Sequence, residues 1–255
     1  MKLRSSVVAT CLLGACSFTS AVWAQENENP VVVGLGVQYE SSIYQDMDAE
    51  INPAVIVSFD YGDFWVRHES VGYTLFSGDN WSLSPVLTMD MGEGFEVADA
   101  DDNSRLYDGL EDRDSGFGYG ITLAYDMQWA ELSTSLLQDT ESSYSVEMEL
   151  AKAYQITDKL SLEPAISLAY RSASYNDYYF GIDEDEASKN SLLTAYDADS
   201  GVDMGLAMTA SYELSPQWIV MGQASYTRFS SAAKDSVLVD SNNQASVAMG
   251  IAYIF

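Results

Sequence analysis

From Ser115 to Gln128 large and small residues alternate without a break, with Phe117, Tyr119, Ile121, Leu123, Tyr125 and Met127 at odd positions. Gly116, Gly118, Gly120, Thr122, Ala124 and Asp126 hold the even ones. Period two over a membrane-crossing length is a strand with one apolar face and one small, polar face. The pattern recurs in Leu160, Leu162, Pro164, Ile166, Leu168 and Tyr170, and again in Val202, Met204, Leu206, Met208 and Tyr212. Soluble sandwiches alternate too, so the solvent must be decided by other features.

Residues 1–24 read as an export signal. Lys2 and Arg4 form a basic start, Val7 to Leu13 an apolar centre, and Val22-Trp23-Ala24 a small-residue cleavage site. Leu13-Gly14-Ala15-Cys16 also resembles a lipoprotein processing site, which would tether the chain through acylated Cys16 instead. Cleavage after Ala24 removes both cysteines, Cys11 and Cys16, so residues 25–255 would contain no thiol. That region has 9 basic against 39 acidic residues, a net charge of −30, which excludes nucleic acid as a partner because phosphate binding needs clustered Lys and Arg.

No stretch after the signal reaches the roughly 18 consecutive apolar residues of a spanning helix. A chain that crosses a membrane without such a helix must do so as a closed barrel, which satisfies every backbone group in lipid. Segments of about 9 to 13 residues suit tilted spanning strands. Aromatic residues near segment ends, among them Trp81, Tyr125, Tyr144, Tyr170, Tyr212, Trp218, Tyr226 and Tyr253, suit interfacial girdles. The last strand places Val247, Met249, Ile251 and Tyr253 on one face and stops at Phe255. Such an ending resembles the C-terminal signal read by the barrel-assembly machinery, with Tyr253 and Phe255 as its residues.

The expected fold is therefore all-β, a single antiparallel transmembrane β-barrel over residues 25–255 in the outer membrane, in contact with outer-membrane lipid. Eleven strand candidates can be placed: 30–40, 51–61, 63–76, 81–90, 115–127, 129–138, 143–155, 159–175, 200–214, 217–230 and 244–255. Bacterial barrels have even strand numbers, and alternation loses phase near Arg67-His68-Glu69-Ser70. An extra turn there makes twelve, with ten and fourteen as the neighbouring alternatives. The long connections near 91–114, 176–199 and 231–243 then fall on the outer side.

Two segments carry a family resemblance. Leu106-Tyr107-Asp108-Gly109-Leu110-Glu111-Asp112, before the Gly-rich strand, is similar to a Leu-x-Gly-Leu-x-Asp segment of the MltA-interacting protein/OmpV (MipA/OmpV) family. Tyr175-Asn176-Asp177-Tyr178-Tyr179-Phe180-Gly181, followed by Glu186 and by Tyr196 to Gly201, resembles that family's most distinctive block. Asp235-Ser236-Val237 departs from it where Asp-Ser-Pro is expected. The resemblance implies an outer-membrane protein, and no catalytic or cofactor site is expected in it. It also implies a scaffold or adaptor role between a murein hydrolase and a murein synthase in the periplasm, or a part in envelope response.

Candidate site residues can be set beside their plainer readings. Asp126, Glu147, Glu149, Glu163, Asp203 and Glu213 fall on the small face and are expected to point inward. They would line a narrow cation-preferring channel if the lumen holds water, or pair with Arg171 and with serine and tyrosine groups if it is packed. Asp99-Ala100-Asp101-Asp102-Asn103 begins like a calcium loop, but Ser104 replaces the turn glycine and Leu110 the closing Glu, so a solvated acidic loop is the plainer reading. His68 is the one histidine; its neighbours Glu69 and Ser70 alternate across a strand and make a poor triad. Gly116 to Gly120 lacks nucleotide-loop spacing. Tyr175, Tyr178, Tyr179 and Tyr196, at a strand-to-loop boundary, suit an interfacial girdle or a sugar-stacking surface.

Overall fold

The computed structural model describes residues 31–67, 69–89, 92, 94–139 and 143–255. The export signal at 1–24, the extension Gln25 to Pro30 and His68 lie outside them. Fourteen strands build the sheet: β1 Val32–Glu40, β2 Glu50–Tyr61, β3 Phe64–Arg67, β4 Ser70–Tyr73, β5 Phe76–Ser77, β6 Trp81–Thr88, β7 Gly118–Asp126, β8 Glu131–Asp139, β9 Tyr144–Ala151, β10 Tyr154–Thr157, β11 Leu160–Arg171, β12 Gly201–Ser215, β13 Trp218–Arg228 and β14 Asn243–Ile254. β4 and β5 both pair with β6, and β9 and β10 both with β11, so each couple is one broken stave. The fourteen segments thus make twelve staves, all antiparallel, and β14 closes the ring on β1 from Ser246↔Glu40 to Ile254↔Val32. The twelfth stave arises where the alternation loses phase, with β3 ending at Arg67 and β4 starting at Ser70, its register partner.

Proline accounts for the breaks. Pro164 of β11 lies opposite the gap between β9 and β10, and Pro85 of β6 opposite the gap between β4 and β5. Neither has an N–H to give to a ladder, so the facing strand is released there. Hairpins at the end shared with the chain termini are short, as in Tyr61-Gly62-Asp63-Phe64, where Gly62 takes φ +61° at the first central position. By the usual asymmetry of such barrels this is the periplasmic end.

The outer wall is apolar throughout, with Leu35, Ile51, Val55, Ile121, Leu168, Leu206 and Met249 all exposed. Tyr61, Phe76, Trp81, Trp129, Trp218 and Phe255 ring the periplasmic edge, and Tyr39, Tyr119, Tyr144 and Tyr226 the opposite one. No helix among the described residues is long and apolar enough to cross a membrane.

Among the described residues three short α-helices stand in the outer loops: α1 Ala173–Phe180, α2 Glu184–Lys189 and α3 Ser231–Lys234. The strand candidate 159–175 overran its end, because Ser172 caps α1 by accepting from the Tyr175 N–H. Once that cap is made, the tyrosines that follow are helical and leave the barrel wall.

Candidate functional site: the outer cap and the polar network beneath it

The largest buried apolar cluster among the described residues lies in the outer loops. Ile43, Tyr44, Phe95, Leu106, Tyr107, Leu110, Tyr175, Tyr179, Phe180, Ile182, Leu193, Phe229 and Leu238 pack together. They come from the loops 41–49, 89–117, 172–200 and 229–242. Counted round the ring, the first three of these loops are separated by four staves each, so they leave the rim at one-third intervals. Loops anchored so far apart can share a core only above the centre of the mouth. The outer mouth is crossed by a packed cap.

Its parts touch through rings and hydrogen bonds. Tyr44 meets Phe95 edge-on at 4.7 Å between centroids, Phe95 meets Tyr107 at 5.5 Å, and Tyr178 and Tyr179 stand perpendicular at 4.8 Å. The Tyr107 hydroxyl donates to the Gln45 carbonyl at 2.6 Å and that of Tyr196 to the Ala232 carbonyl at 2.8 Å. Burial, and then the charge of Asp46, pushes the Tyr107 hydroxyl far up from its ordinary 10.0. Burial, with Asp235, Asp199 and Asp177 nearby, pushes Tyr196 up as well. Both remain protonated donors at neutral pH.

One ion pair bolts two of the loops together. Arg113 Nη2 donates to both carboxylate oxygens of Glu186, at 2.7 and 2.9 Å, with side chains 11% and 5% exposed. Glu186 also accepts the N–H groups of Asp183 and Glu111, closing the capping box of α2 with the first. Asn190 adds donations to the carbonyls of Arg105 and Leu106.

The residues that carried the family resemblance are the cap. Leu106 and Leu110 are in its core; Gly109, at φ +90°, turns the chain beneath Lys189; and Asp112 accepts the Val97 N–H. Tyr178 hydroxyl accepts the Asp114 N–H, Gly181 ends α1 on the Asp177 carbonyl, and Gly201 leaves room for Ser230. Of the tyrosines expected at an interfacial girdle, Tyr175 and Tyr179 are interior, 4% and 2% exposed, and Tyr178 and Tyr196 are partly buried against the same core. The acidic segment expected to be a solvated loop supplies Phe95, Leu106, Tyr107 and Leu110 to the same core. Asp99, the first residue of the calcium-like stretch, ends the 3-10 turn Val97–Asp99, and the Asp101 N–H bonds the Asp46 carbonyl. No group of three or more metal-binding side chains occurs among the described residues.

Beneath the cap the inward face is polar. Arg171, 5% exposed, bonds Glu147 at 2.6 Å, stands 3.6 Å from Asp203 and lies over the Tyr175 ring at 4.8 Å. Asp203 also accepts the Ser230 N–H, which ties the wall to the cap. Glu149 is buried on the same strand as Glu147, whereas Glu163 and Glu213 are half-buried nearer the periplasm. Asp126 sits apart, exposed at the end of β7, where it accepts the Gln128 N–H in a turn. The sequence reading missed Glu40, which accepts from Gln38 and Gln244, both at 3.1 Å. Its position on the small face of β1 was the available signal. Lower down, Val32, Ile56, Ile219, Met221, Ala252 and Ile254 form an apolar patch on the inner wall. At the terminus Tyr253 contacts both Trp218 and Phe255.

Comparison with known proteins places these features in context. The model of the family described as MltA-interacting protein MipA matches residues 33–255. The chain is 29% identical to the MltA-interacting protein of Escherichia coli, over 95% of this chain and 97% of that protein. It is 27% identical to a 24 kDa outer membrane protein of Pasteurella multocida, over the full length of both. It is 24% identical to the outer membrane protein OmpV of Vibrio cholerae, over 99% and 97%.

Proposed function

Because the chain belongs to the MltA-interacting protein MipA family of outer-membrane barrels, we propose that it is a non-enzymatic anchor holding murein-remodelling enzymes at the inner surface of the outer membrane. The name of the Escherichia coli relative supports a murein hydrolase as one partner, and a murein synthase completes the adaptor role. The observation that carries the reading is the cap. Loops that could have framed a pore or a substrate cleft are spent on a shared apolar core across the mouth, and Glu147 and Asp203 are engaged by Arg171. What faces the periplasm is a flat rim of short turns flanked by Tyr61, Trp81, Trp129 and Trp218. Flat, aromatic-rich surfaces suit protein contact.

Envelope extracts passed over the folded barrel test this. A murein hydrolase or synthase should be retained, and retention should fall when Trp129 and Trp218 become Ser. Absence of every murein enzyme from the bound fraction sinks the adaptor role.

A narrow cation-preferring channel is the second reading, favoured by Glu163 and Glu213 on the inner wall below the ion-paired network. Planar-bilayer conductance separates the two: steady cation-selective steps, weakened by Glu163→Gln, would put the channel first. A folded, silent barrel leaves the anchor. On either reading Tyr253 and Phe255 are the residues offered to the barrel-assembly machinery.

A further inference from the structure

The cap crosses the outer mouth, but the wall below it is open on one side. β3 and β4 are four residues each, and β3 pairs with β2 only at Ser58 to Tyr61. Above that hairpin Glu50 to Ile56 of β2 are laddered to β1 alone, and no strand among the described residues lies along their other edge. At about 3.3 Å per residue this edge is roughly 23 Å long. Its top lies in the outer girdle, where Ile51 is the register partner of Tyr39.

The ladders fix which backbone groups face the opening. Phe255 donates its N–H to the Val31 carbonyl and Ser41 its N–H to the Ala245 carbonyl, so odd residues of β1 bond β14. Even residues of β1 and β2 then bond each other, and odd residues of β2 point their N–H and C=O groups away from β1. Beside the opening these are Ile51, Pro53 and Val55, and no ladder among the described residues satisfies them. Pro53 has no N–H to give, a device that discourages pairing with a further strand. The other groups are costly to leave in hydrocarbon, whereas water satisfies them.

The inner wall beside the opening is polar as well. Asn52 Nδ2 donates to Glu50 at 2.8 Å, and Glu40 accepts from Gln38 and Gln244, both at 3.1 Å. Ser246, the register partner of Glu40, is 3% exposed, and its hydroxyl has no partner among the described residues. At the base Arg67 donates to both oxygens of Asp60, at 2.6 and 2.7 Å, and lies over the Trp65 ring. That pair is neutral, so the net charge beside the opening is that of Glu40 and Glu50. Two carboxylates among amides and a free hydroxyl favour cations and disfavour anions. No group of three or more metal-binding side chains occurs among the described residues, so a cation here keeps its water.

We infer that the opening between the β2 edge and the top of the β3–β4 hairpin is a water-filled side portal through which small hydrated cations reach the lumen beneath the cap. A hydrocarbon chain there would leave the edge groups of Ile51 and Val55 unsatisfied, and a polypeptide strand would meet Pro53 at its middle. The portal concerns the outer half of the lumen alone. It therefore goes beyond both readings of function, and a barrel that does not conduct can still have it.

Residue-resolved amide exchange of the unaltered barrel in phosphatidylcholine nanodiscs tests the water. The N–H groups of Ile51 and Val55 should exchange roughly a hundredfold faster than those of Asn52 and Ala54, which are laddered to Gln38 and Gly36. Equal protection of odd and even residues overturns the portal, because a strand or lipid then covers the edge. The cation is tested with Ala54→Cys, the single thiol of residues 25–255 in that variant, and two methanethiosulfonate reagents, one carrying trimethylammonium and one a sulfonate. Relative to their rates with a free thiol, the cationic reagent should react roughly tenfold faster, and Glu50→Gln should bring the two rates closer. Rates that start level, or that Glu50→Gln does not move, overturn the cation assignment. Adding Glu186→Gln should leave the cationic rate unchanged. A rate that rises as the cap loosens shows entry through the mouth and overturns the portal.

Discussion

Glu186→Gln isolates the bolt of the cap, since it keeps the shape of the side chain and removes its charge. Glu186 receives both Arg113 donations and the N–H groups of Asp183 and Glu111, and it is 5% exposed. Gln can still accept some of these bonds, but Arg113, at 11% exposure, is left without its counter-charge. Removing one partner of a buried pair costs about 3 kcal/mol at the lower end of what is observed. At 1.4 kcal/mol per factor of ten, that raises the open population of the cap about a hundredfold. The barrel ladders are untouched, so heat-modifiability on gels should not change. Limited proteolysis of the outer loops on whole cells reads the difference, because cleavage follows the open population when reclosing is fast. Cleavage should accelerate by about two orders of magnitude, and Arg113→Met added to Glu186→Gln should recover most of the loss. Wild-type resistance in Glu186→Gln would refute the assignment of the pair as the bolt. So would loss of the barrel itself.

Arg171→Met leaves Glu147 and Asp203 without their cation and should lower barrel stability in urea by about 3–5 kcal/mol. Arg171→Lys should not restore it, because a point charge cannot bond a carboxylate, reach a second and stack on Tyr175 together. Tyr107 is raised from 10.0 by burial, so its contribution to the cap is complete below pH 10 and is lost as pH climbs through the higher folded value. Proteolysis of the loops should therefore rise above pH 10. Tyr107→Phe should remove the Tyr107 part of that dependence and cost about 1 kcal/mol through the lost bond to Gln45. Gly72→Ala should push Trp65 off the Ser84 hydroxyl, shift its emission and destabilise the barrel by about 1–3 kcal/mol in a urea titration.

The sequence by itself determined the wall. Period two, the absence of a spanning helix and the aromatic strand ends are local properties, and each states what a residue faces whatever lies opposite. The lost phase at Arg67 to Ser70 even located the turn that makes twelve staves. The small-face rule leads one to expect Glu147, Glu149, Glu163, Asp203 and Glu213 inward, and Glu147 and Asp203 meet at Arg171; it could not see that Asp126 lies past the wall in a turn. Only the tertiary structure decided what the loops do. Tyr44 and Tyr179 are 135 residues apart, and Arg113 and Glu186 are 73 apart. Neither pair has a periodicity that would reveal it, and the tyrosines of α1 read as a girdle until Ser172 turned them into a helix. The upper part of β2 was equally hidden: among the described residues Glu50 to Val57 is laddered to β1 alone, yet its alternation is that of a strand paired on both sides. Whether a neighbour stands beside a strand depends on the length of the next hairpin, and the single local trace of the answer was Pro53.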